Sequence, residues 1–176
     1  MKEKVILVDD NDKEIGVEEK MKAHENGGKR HRAFSVFVFN SEKETLLQKR
    51  ADGKYHWGGV WSNTCCSHPR PEEEVEDAAH RRLQEELGFD CDLKEAFVFN
   101  YKAQFENGLW ENEVDHVFVG RYEGEVKPNS KEVSDYKWIK VKELTKELEE
   151  KPSEYTPWLK IAFEKLIQKN NSGLGV

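Results

Sequence analysis

Two short segments combine side chains that could do acid–base or metal chemistry. One reads Thr-Cys-Cys-Ser-His-Pro and contains Cys66 and His68, and the other reads Trp-Glu-Asn-Glu-Val and contains Glu111 and Glu113. In an extended backbone alternate side chains share a face, so each pair would point in one direction. The structural alternative is that the cysteine packs as a small hydrophobe and the Glu-x-Glu pair faces solvent. Each segment alone leaves both interpretations open.

Length and composition favour one folded domain. The 176 residues are enough for one well-packed core and few for two. Charged residues make up 36% of the chain, yet 5 Trp, 5 Tyr and 9 Phe argue against disorder. We therefore expect a single domain over residues 1–169 with a polar surface, followed by a flexible tail at 170–176.

The charge balance argues against nucleic acid as a partner. The net charge is −7, and binding a phosphate backbone requires a broad basic surface. Local basic clusters at 29–32 and at Lys49, Arg50 and Lys54 could still bind a small anionic ligand. They could equally form a solvated rim of mixed charge.

The chain lacks the sequence features of a membrane or secreted protein. No run of about eighteen apolar residues occurs, and the N-terminus has no signal-peptide core. The three cysteines are odd in number and two of them, Cys65 and Cys66, are adjacent, which disfavours a disulfide framework. We expect a cytoplasmic protein with free thiols, without membrane contact and monomeric.

The periodicity predicts an α+β fold with a mixed sheet between helices. Helices are expected at 18–24, 72–87, 142–150 and 155–169, the last with Thr156 as its N-cap. The segment 51–71, rich in Gly, Trp, His and Cys, reads as loop and short strand, which is where function often lies. Strands are expected at 5–8, around 15–17, and at 33–39, 45–50, 91–105, 109–122 and 136–141.

The predicted helix at 72–87 carries two charged residues on its apolar face. At about 100° per residue, its apolar stripe consists of Val75, Ala78, Ala79 and Leu83. Arg82 and Glu86 fall inside that stripe. An ordinary surface pair four residues apart is the simple interpretation, but buried charges are costly unless something holds them. The pattern favours a site in which Arg82 binds an anion and Glu86 a cation.

The order of charged residues around this helix resembles the conserved box of the Nudix superfamily. The matching positions are Glu73, Arg81, Leu83, Glu85, Glu86, Gly88 and Phe89. Two positions depart from the box: Ser67 stands where it has its first glycine, and Arg82 stands where it has a glutamate. The resemblance implies the Nudix fold, while the departures disfavour Nudix hydrolysis.

With the first two segments added, the chain resembles the type I isopentenyl-diphosphate isomerase family from about residue 5 to residue 166. Further matching landmarks are Lys20, His24, His31, Arg50-Ala51, Trp57, Gly59-Val60-Trp61, Asn63, Tyr101 and Pro157-Trp158. The resemblance implies isomerisation of a homoallylic to an allylic diphosphate. It also implies a divalent metal, Mg, Mn or Zn, held by His24, His31, His68, Glu111 and Glu113.

The same resemblance assigns roles around the reacting carbons. Glu113, close to Tyr101, is expected to be the acid, and Cys66 the opposing base, which must be a thiolate to accept a proton. Trp158 is expected to face the developing carbocation, although core packing alone would also explain it. A second Mg²⁺ is expected near Glu86 and the backbone carbonyl of Cys66, arriving with the diphosphate.

The resemblance also implies a diphosphate site and a water-excluding wall. The expected diphosphate ligands are Lys20, Arg50, Lys54 and Arg82. The expected aromatic wall is drawn from Trp57, Trp61, Trp110 and Trp158. Two other classes remain alternatives: a Nudix hydrolase of a nucleoside diphosphate derivative, which gives Cys66 no task, and a non-catalytic metal-binding domain, which explains neither the thiol nor Trp158.

Overall fold

The computed structural model describes residues 2–54, 57–105 and 107–171. Its first half contains β1 (Lys4–Val8), β2 (Glu14–Glu19), α1 (Lys20–Ala23), β3 (His31–Phe39), β4 (Glu44–Arg50), β5 (Trp61–Ser62) and β6 (Cys65–Ser67). Its second half contains α2 (Val75–Leu87), β7 (Leu93–Gln104), β8 (Trp110–Arg121), β9 (Val133–Lys140), α3 (Val141–Glu150) and α4 (Pro157–Asn171). The predicted α+β class is confirmed.

Strand β3 is the centre of a mixed sheet. It pairs antiparallel with β1, β4 and β6, and parallel with β8. The parallel register sets His31 opposite Glu113, and the antiparallel register sets Ser35 opposite Cys66. Segments that are far apart in the chain therefore meet on one strand.

Helices cover both faces of this sheet. Successive apolar side chains of β3 point to opposite faces, so each face has an apolar surface to bury. Phe34, Val36 and Val38 pack on one face against α2. Phe37 and Phe39 pack on the other face with α3 and α4, through Leu144 and Leu148 of α3 and Leu159, Ala162, Phe163 and Leu166 of α4. The expected arrangement of a sheet between helices is confirmed.

Several predicted boundaries shift. Strand β2 runs on to Glu19, so the first helix begins only at Lys20. Helix α2 begins at Val75 and not at 72, since Glu72 has a φ of 67°. Helix α4 begins at Pro157 after a 3₁₀ turn at Pro152–Glu154, and the Thr156 hydroxyl lies 3.0 Å from that of Ser62.

The predicted tail at 170–176 lies outside the described residues except for 170 and 171, which continue α4. Cys65, Cys66 and Cys91 are free thiols, as expected. Among the described residues, no helix is long and apolar enough to cross a lipid bilayer.

Helix α2 ends at a glycine, as the sequence predicts. Gly88 has a φ of 71°, in the left-handed region that favours glycine. The next segment passes close by, since the Lys127 amide donates to the Leu87 carbonyl at 2.9 Å. A Cβ at Gly88 would lie 2.7 Å from the Lys127 carbonyl oxygen. This contact fixes the end of the helix that carries Arg82 and Glu86.

We predict that Gly88→Ala lowers the free energy of unfolding by about 2 to 4 kcal/mol, because left-handed strain adds to a backbone clash. Urea unfolding measures the change. Gly108→Ala is the matched control: Gly108 has a φ of 80°, but its Cβ would meet nothing within 4 Å. Equal losses in the two variants would contradict the close-packing argument.

Candidate active site

Five buried side chains converge from four segments of the chain. The donor atoms of His24, His31, His68, Glu111 and Glu113 all lie within 4.8 Å of one another. His24 follows α1, and its carbonyl accepts the Trp110 amide at 2.8 Å, which brings it beside the start of β8. The alternation of β8 then points Glu111 and Glu113 to one side, as the spacing predicts. The structure brings together all five predicted ligands.

The histidines point their Nε2 atoms at the carboxylates. His24 Nε2 lies 3.0 Å from Glu111 Oε2, and His68 Nε2 lies 2.9 Å from Glu113 Oε1. The Nδ1 atoms of His24 and His31 instead face backbone carbonyls, those of Lys20 at 2.6 Å and Lys29 at 2.7 Å. Such an outer hydrogen bond fixes the ring and leaves the other nitrogen to bind a metal.

Electrostatics favour a cation at the centre of this cluster. Burial and the charge of Glu113 raise the pKa of Glu111 well above its usual value. Burial opposes ionisation of Glu113 too, but contacts with His31 and His68 hold its pKa well below the usual value. Because burial lowers the pKa of His68 to about 3, that imidazole is neutral and cannot supply the compensating charge.

The donor set fits a divalent metal. His31 Nε2 and His68 Nε2 lie 3.2 Å apart, and His31 Nε2 lies 3.4 Å from Glu113 Oε1. In an octahedral site, adjacent ligands lie about 3 Å apart and opposite ligands about 4.3 Å apart. Imidazoles and carboxylates at these distances could hold a divalent metal ion.

Tyr101 joins the cluster from β7. Its hydroxyl donates to Glu113 Oε2 at 2.6 Å, because β7 and β8 set Tyr101 opposite Glu113. Burial and the charge of Glu113 raise the pKa of the phenol well above its usual value, so it keeps its proton. The Tyr101 hydroxyl therefore carries a proton beside the five His and Glu side chains, and Tyr101 also lines the adjoining cavity.

Cys66 lines the same cavity on β6. Arg50 Nη1 lies 3.9 Å and Ser62 Oγ 3.8 Å from the Cys66 sulfur. The neighbouring Arg50 favours the thiolate that the expected base requires, but burial has the larger effect. Burial raises the pKa of the Cys66 thiol to about 11, and the opposing effect of Arg50 is smaller.

The aromatic wall is smaller than expected. Trp158 lines the cavity, is 4% exposed, and donates its indole N–H to Ser62 Oγ at 3.0 Å. Trp57 packs edge-on against it, with ring centroids 6.4 Å apart. Trp61 and Trp110 do not line the cavity: Trp61 packs against the core under Lys137, and Trp110 lies under Lys102.

The four predicted diphosphate ligands all reach the cavity, as Lys20, Arg50, Lys54 and Arg82 line it together with Cys66 and Glu113. The other basic cluster does not line this cavity, because Arg30 and Arg32 pair with Asp10 and Asp12. The basic residues therefore form two groups: four that line the cavity, and Arg30 and Arg32, which form ion pairs with the loop between β1 and β2.

Glu86 also lines the cavity and is buried on α2. Its Oε1 accepts from Arg82 and its Oε2 accepts from Gln48 Nε2 at 2.7 Å. The prediction that both charges occupy the apolar face of the helix is confirmed, with Glu86 3% exposed.

Sequence reasoning missed four residues around the site. The fixed spacing of two from Glu113 could have indicated Asp115, which accepts from Ser35 at 2.8 Å. Gln48 and Ser62 lie on strands with no motif, and Glu132 is one acid among many, so no sequence signal identifies them. Glu132 contacts both Lys54 and Arg82.

Comparison with known proteins places this arrangement in a family. A family model described as the NUDIX domain matches residues 29–159. The chain is 51% identical over 167 residues to "Isopentenyl-diphosphate Delta-isomerase 2" of Aromatoleum aromaticum, covering 95% of this chain and 88% of the relative. It is 50% identical over 165 residues to the isopentenyl-diphosphate Delta-isomerase of Burkholderia multivorans, covering 94% and 93%.

Solved structures of low sequence identity share the fold. DR0079 from Deinococcus radiodurans superposes with a TM-score of 0.70 at 18% identity, covering 85% of this chain and 90% of that one. A MutT protein from Methanosarcina mazei gives a TM-score of 0.67 at 19% identity, covering 80% and 95%. The chain belongs to the isopentenyl-diphosphate Delta-isomerase family, built on the NUDIX domain.

Proposed function

We propose that this chain interconverts isopentenyl diphosphate and dimethylallyl diphosphate. The observation that supports this most directly is the cavity between Cys66 and the Tyr101–Glu113 hydrogen bond, which the four cations and Trp158 also line. A thiol and a carboxylate on one cavity can add a proton at one carbon and remove a proton from another. The names of the relatives agree with this reaction.

The reaction requires an acid, an opposing base and the exclusion of water. Protonation of the terminal alkene carbon leaves a tertiary carbocation, and loss of a proton from the carbon on the other side forms the internal double bond. An alkene is a feeble base, so the acid must be held against it, and water must be kept away from the cation.

Glu113 and Tyr101 form the acid side. Their hydrogen bond of 2.6 Å holds one proton between a carboxylate and a phenol. We propose that Tyr101 transfers this proton to Glu113 Oε2 and that Glu113 delivers it to the terminal carbon. A divalent ion bound by His24, His31, His68, Glu111 and Glu113 would supply positive charge that makes this donor more acidic.

Cys66 forms the base side. In its thiolate form the sulfur accepts the second proton, and the Arg50 guanidinium at 3.9 Å supplies the neighbouring positive charge. Trp158 offers a π face to the carbocation, an interaction worth roughly 1 to 2 kcal/mol when it is desolvated. The hydrogen bond from its indole to Ser62 fixes the ring in place.

The diphosphate would lie among the cations of the cavity. Arginine suits bidentate contacts with phosphate, and lysine acts as a point charge. Arg50 and Arg82 would therefore orient the diphosphate, while Lys20 and Lys54 would neutralise part of its negative charge. A second Mg²⁺ would accompany the diphosphate and bind near Glu86 and the Cys66 carbonyl. We further propose that the protein is a cytoplasmic monomer whose single domain includes residues 1–169.

Incubation with isopentenyl diphosphate and Mg²⁺ in deuterated water tests the reaction. We expect proton NMR to show dimethylallyl diphosphate carrying deuterium in a methyl group, because the added proton comes from exchangeable groups. Release of phosphate would support a hydrolase instead. An unchanged spectrum from folded protein would contradict both enzymatic functions.

Two substitutions test the acid and the base. We predict that Cys66→Ala and Glu113→Gln each reduce kcat by about 10³-fold or more, since each removes one of the two proton-transfer groups. Cys65→Ala is the matched control: Cys65 is fully buried in the core beside Cys66 and should retain turnover. Turnover surviving in Cys66→Ala would overturn the assignment of the base.

Alkylation of Cys66 should be strongly dependent on pH. A thiol with a pKa of about 11 is almost entirely protonated at neutral pH, so iodoacetamide should react slowly at pH 7 and about tenfold faster per pH unit up to pH 10. Peptide mass spectrometry on the ligand-free protein separates Cys66 from Cys91. A rate that is already maximal at pH 7 would contradict a protonated resting thiol.

Metal binding can be measured without turnover. We predict that His68→Asn weakens Mn²⁺ binding by about 10- to 100-fold in isothermal titration calorimetry, because one of five ligands is lost. His80→Asn is the control, since His80 lies on α2 and pairs with Asp90 at 2.6 Å, outside the cluster. Equal affinity in both variants would exclude His68 as a ligand.

A further inference from the structure

A carboxylate with no assigned role contacts two cations of the cavity from an adjoining pocket, which Glu132 lines together with Lys54 and Arg82. Glu132 precedes β9, and its Oε2 accepts from Lys54 Nζ and from Arg82 Nη2, the latter at 3.2 Å. A single oxygen thus contacts two of the four cations, as an oxygen of a phosphate group would.

The position of this carboxylate is fixed by the backbone. The Ala51 amide donates to the Glu132 carbonyl at 3.0 Å, and the Glu132 amide donates to the Asn129 carbonyl at 2.9 Å. The pairing of β4 with β9 sets Arg50 opposite Val133. Glu132 is therefore tied to the segment that carries Arg50 and Lys54 and is not a mobile surface acid.

The contact with Arg82 and Lys54 is stronger than an ordinary surface pair. The side chain of Glu132 is 26% exposed, against 74% for Glu3, which pairs with Lys20 at 2.8 Å. Burial disfavours the carboxylate, but the hydrogen bonds and charges of Lys54 and Arg82 together outweigh this effect and lower the pKa of Glu132. Partial burial weakens screening by solvent and so strengthens this ion pair. Another anion that contacts Lys54 and Arg82 must compete with Glu132 for them.

The positive charge of Arg82 is already paired with several carboxylates. It contacts Glu85 at 2.8 Å, Glu86, and Glu132. Three carboxylates and two cations thus meet where the diphosphate would bind. Glu86 is needed there for the cation that accompanies the ligand, and Glu85 is 37% exposed at the rim. Of these three carboxylates Glu132 contacts both cations, so its removal would take one partner from Lys54 and one of three from Arg82.

We propose that Glu132 is a specificity-determining residue: it is the resident counter-anion of Lys54 and Arg82, which an incoming anion must displace. The site then resists binding by weakly charged anions and accepts a diphosphate that brings its own cation. This inference rests on the proposed function, because it assumes that Lys54 and Arg82 bind the diphosphate group.

Inorganic pyrophosphate with Mg²⁺ is the probe, and isothermal titration calorimetry gives its Kd for the full chain. We expect Glu132→Gln to bind about tenfold tighter than the wild type, because one negative charge is removed while the side chain keeps its shape. Glu132→Ala should also bind tighter. Glu149→Gln, an exposed acid on α3 that does not line the cavity, makes the same change in net charge and should leave the Kd unaltered.

A purely structural role predicts the opposite sign. If Glu132 only positions Lys54 and Arg82, both Glu132 variants would bind pyrophosphate more weakly, and that result, like an unchanged Kd, would overturn the inference. A wild-type protein that fails to bind pyrophosphate with Mg²⁺ would overturn the proposed diphosphate site as well. Far-UV circular dichroism confirms that each variant is folded.

Discussion

Two buried carboxylates on one strand face, Glu111 and Glu113, impose the constraint on which the site depends. Buried like charges are tolerated only when hydrogen bonds or cations compensate them. Three imidazoles surround the pair, and two of them are oriented from behind by backbone carbonyls. A helix end, a strand start and a loop therefore hold the three imidazole rings around these two side chains, in an arrangement that could bind a metal ion.

The same constraint organises the opposite side of the cavity. Helix α2 places Arg82 and Glu86 where a regular amphipathic helix would have apolar residues, and Gln48 and Glu132 supply the remaining contacts. A hydrolase of this fold would have a carboxylate in place of Arg82. The arginine changes the local charge, and in the proposed function it would allow this helix to contact the diphosphate.

Much of the fold follows from local sequence patterns. The run of β-branched and aromatic residues in β3 predicted a strand, and Gly88 predicted the end of α2, because backbone conformation there is decided by neighbouring residues. Starts of helices were less predictable, since Glu72 adopts a left-handed conformation that its residue type does not indicate. Which of the four tryptophans would line the cavity could not be predicted, because residue type does not indicate where an aromatic side chain packs.

The sequence by itself determined the chemical inventory: three histidines, a Glu-x-Glu pair, one thiol, a tyrosine and a helix with Arg82 and Glu86 on its apolar face. Residue type and spacing fix what each group can do and which neighbours share its face. Only the tertiary structure decided that Cys66 is buried enough to stay protonated, and that Glu132 contacts Lys54 and Arg82. The first property depends on the packing of β6 against β3, and the second on contacts between residues 78 and 50 positions apart, which the pairing of β4 with β9 helps to create.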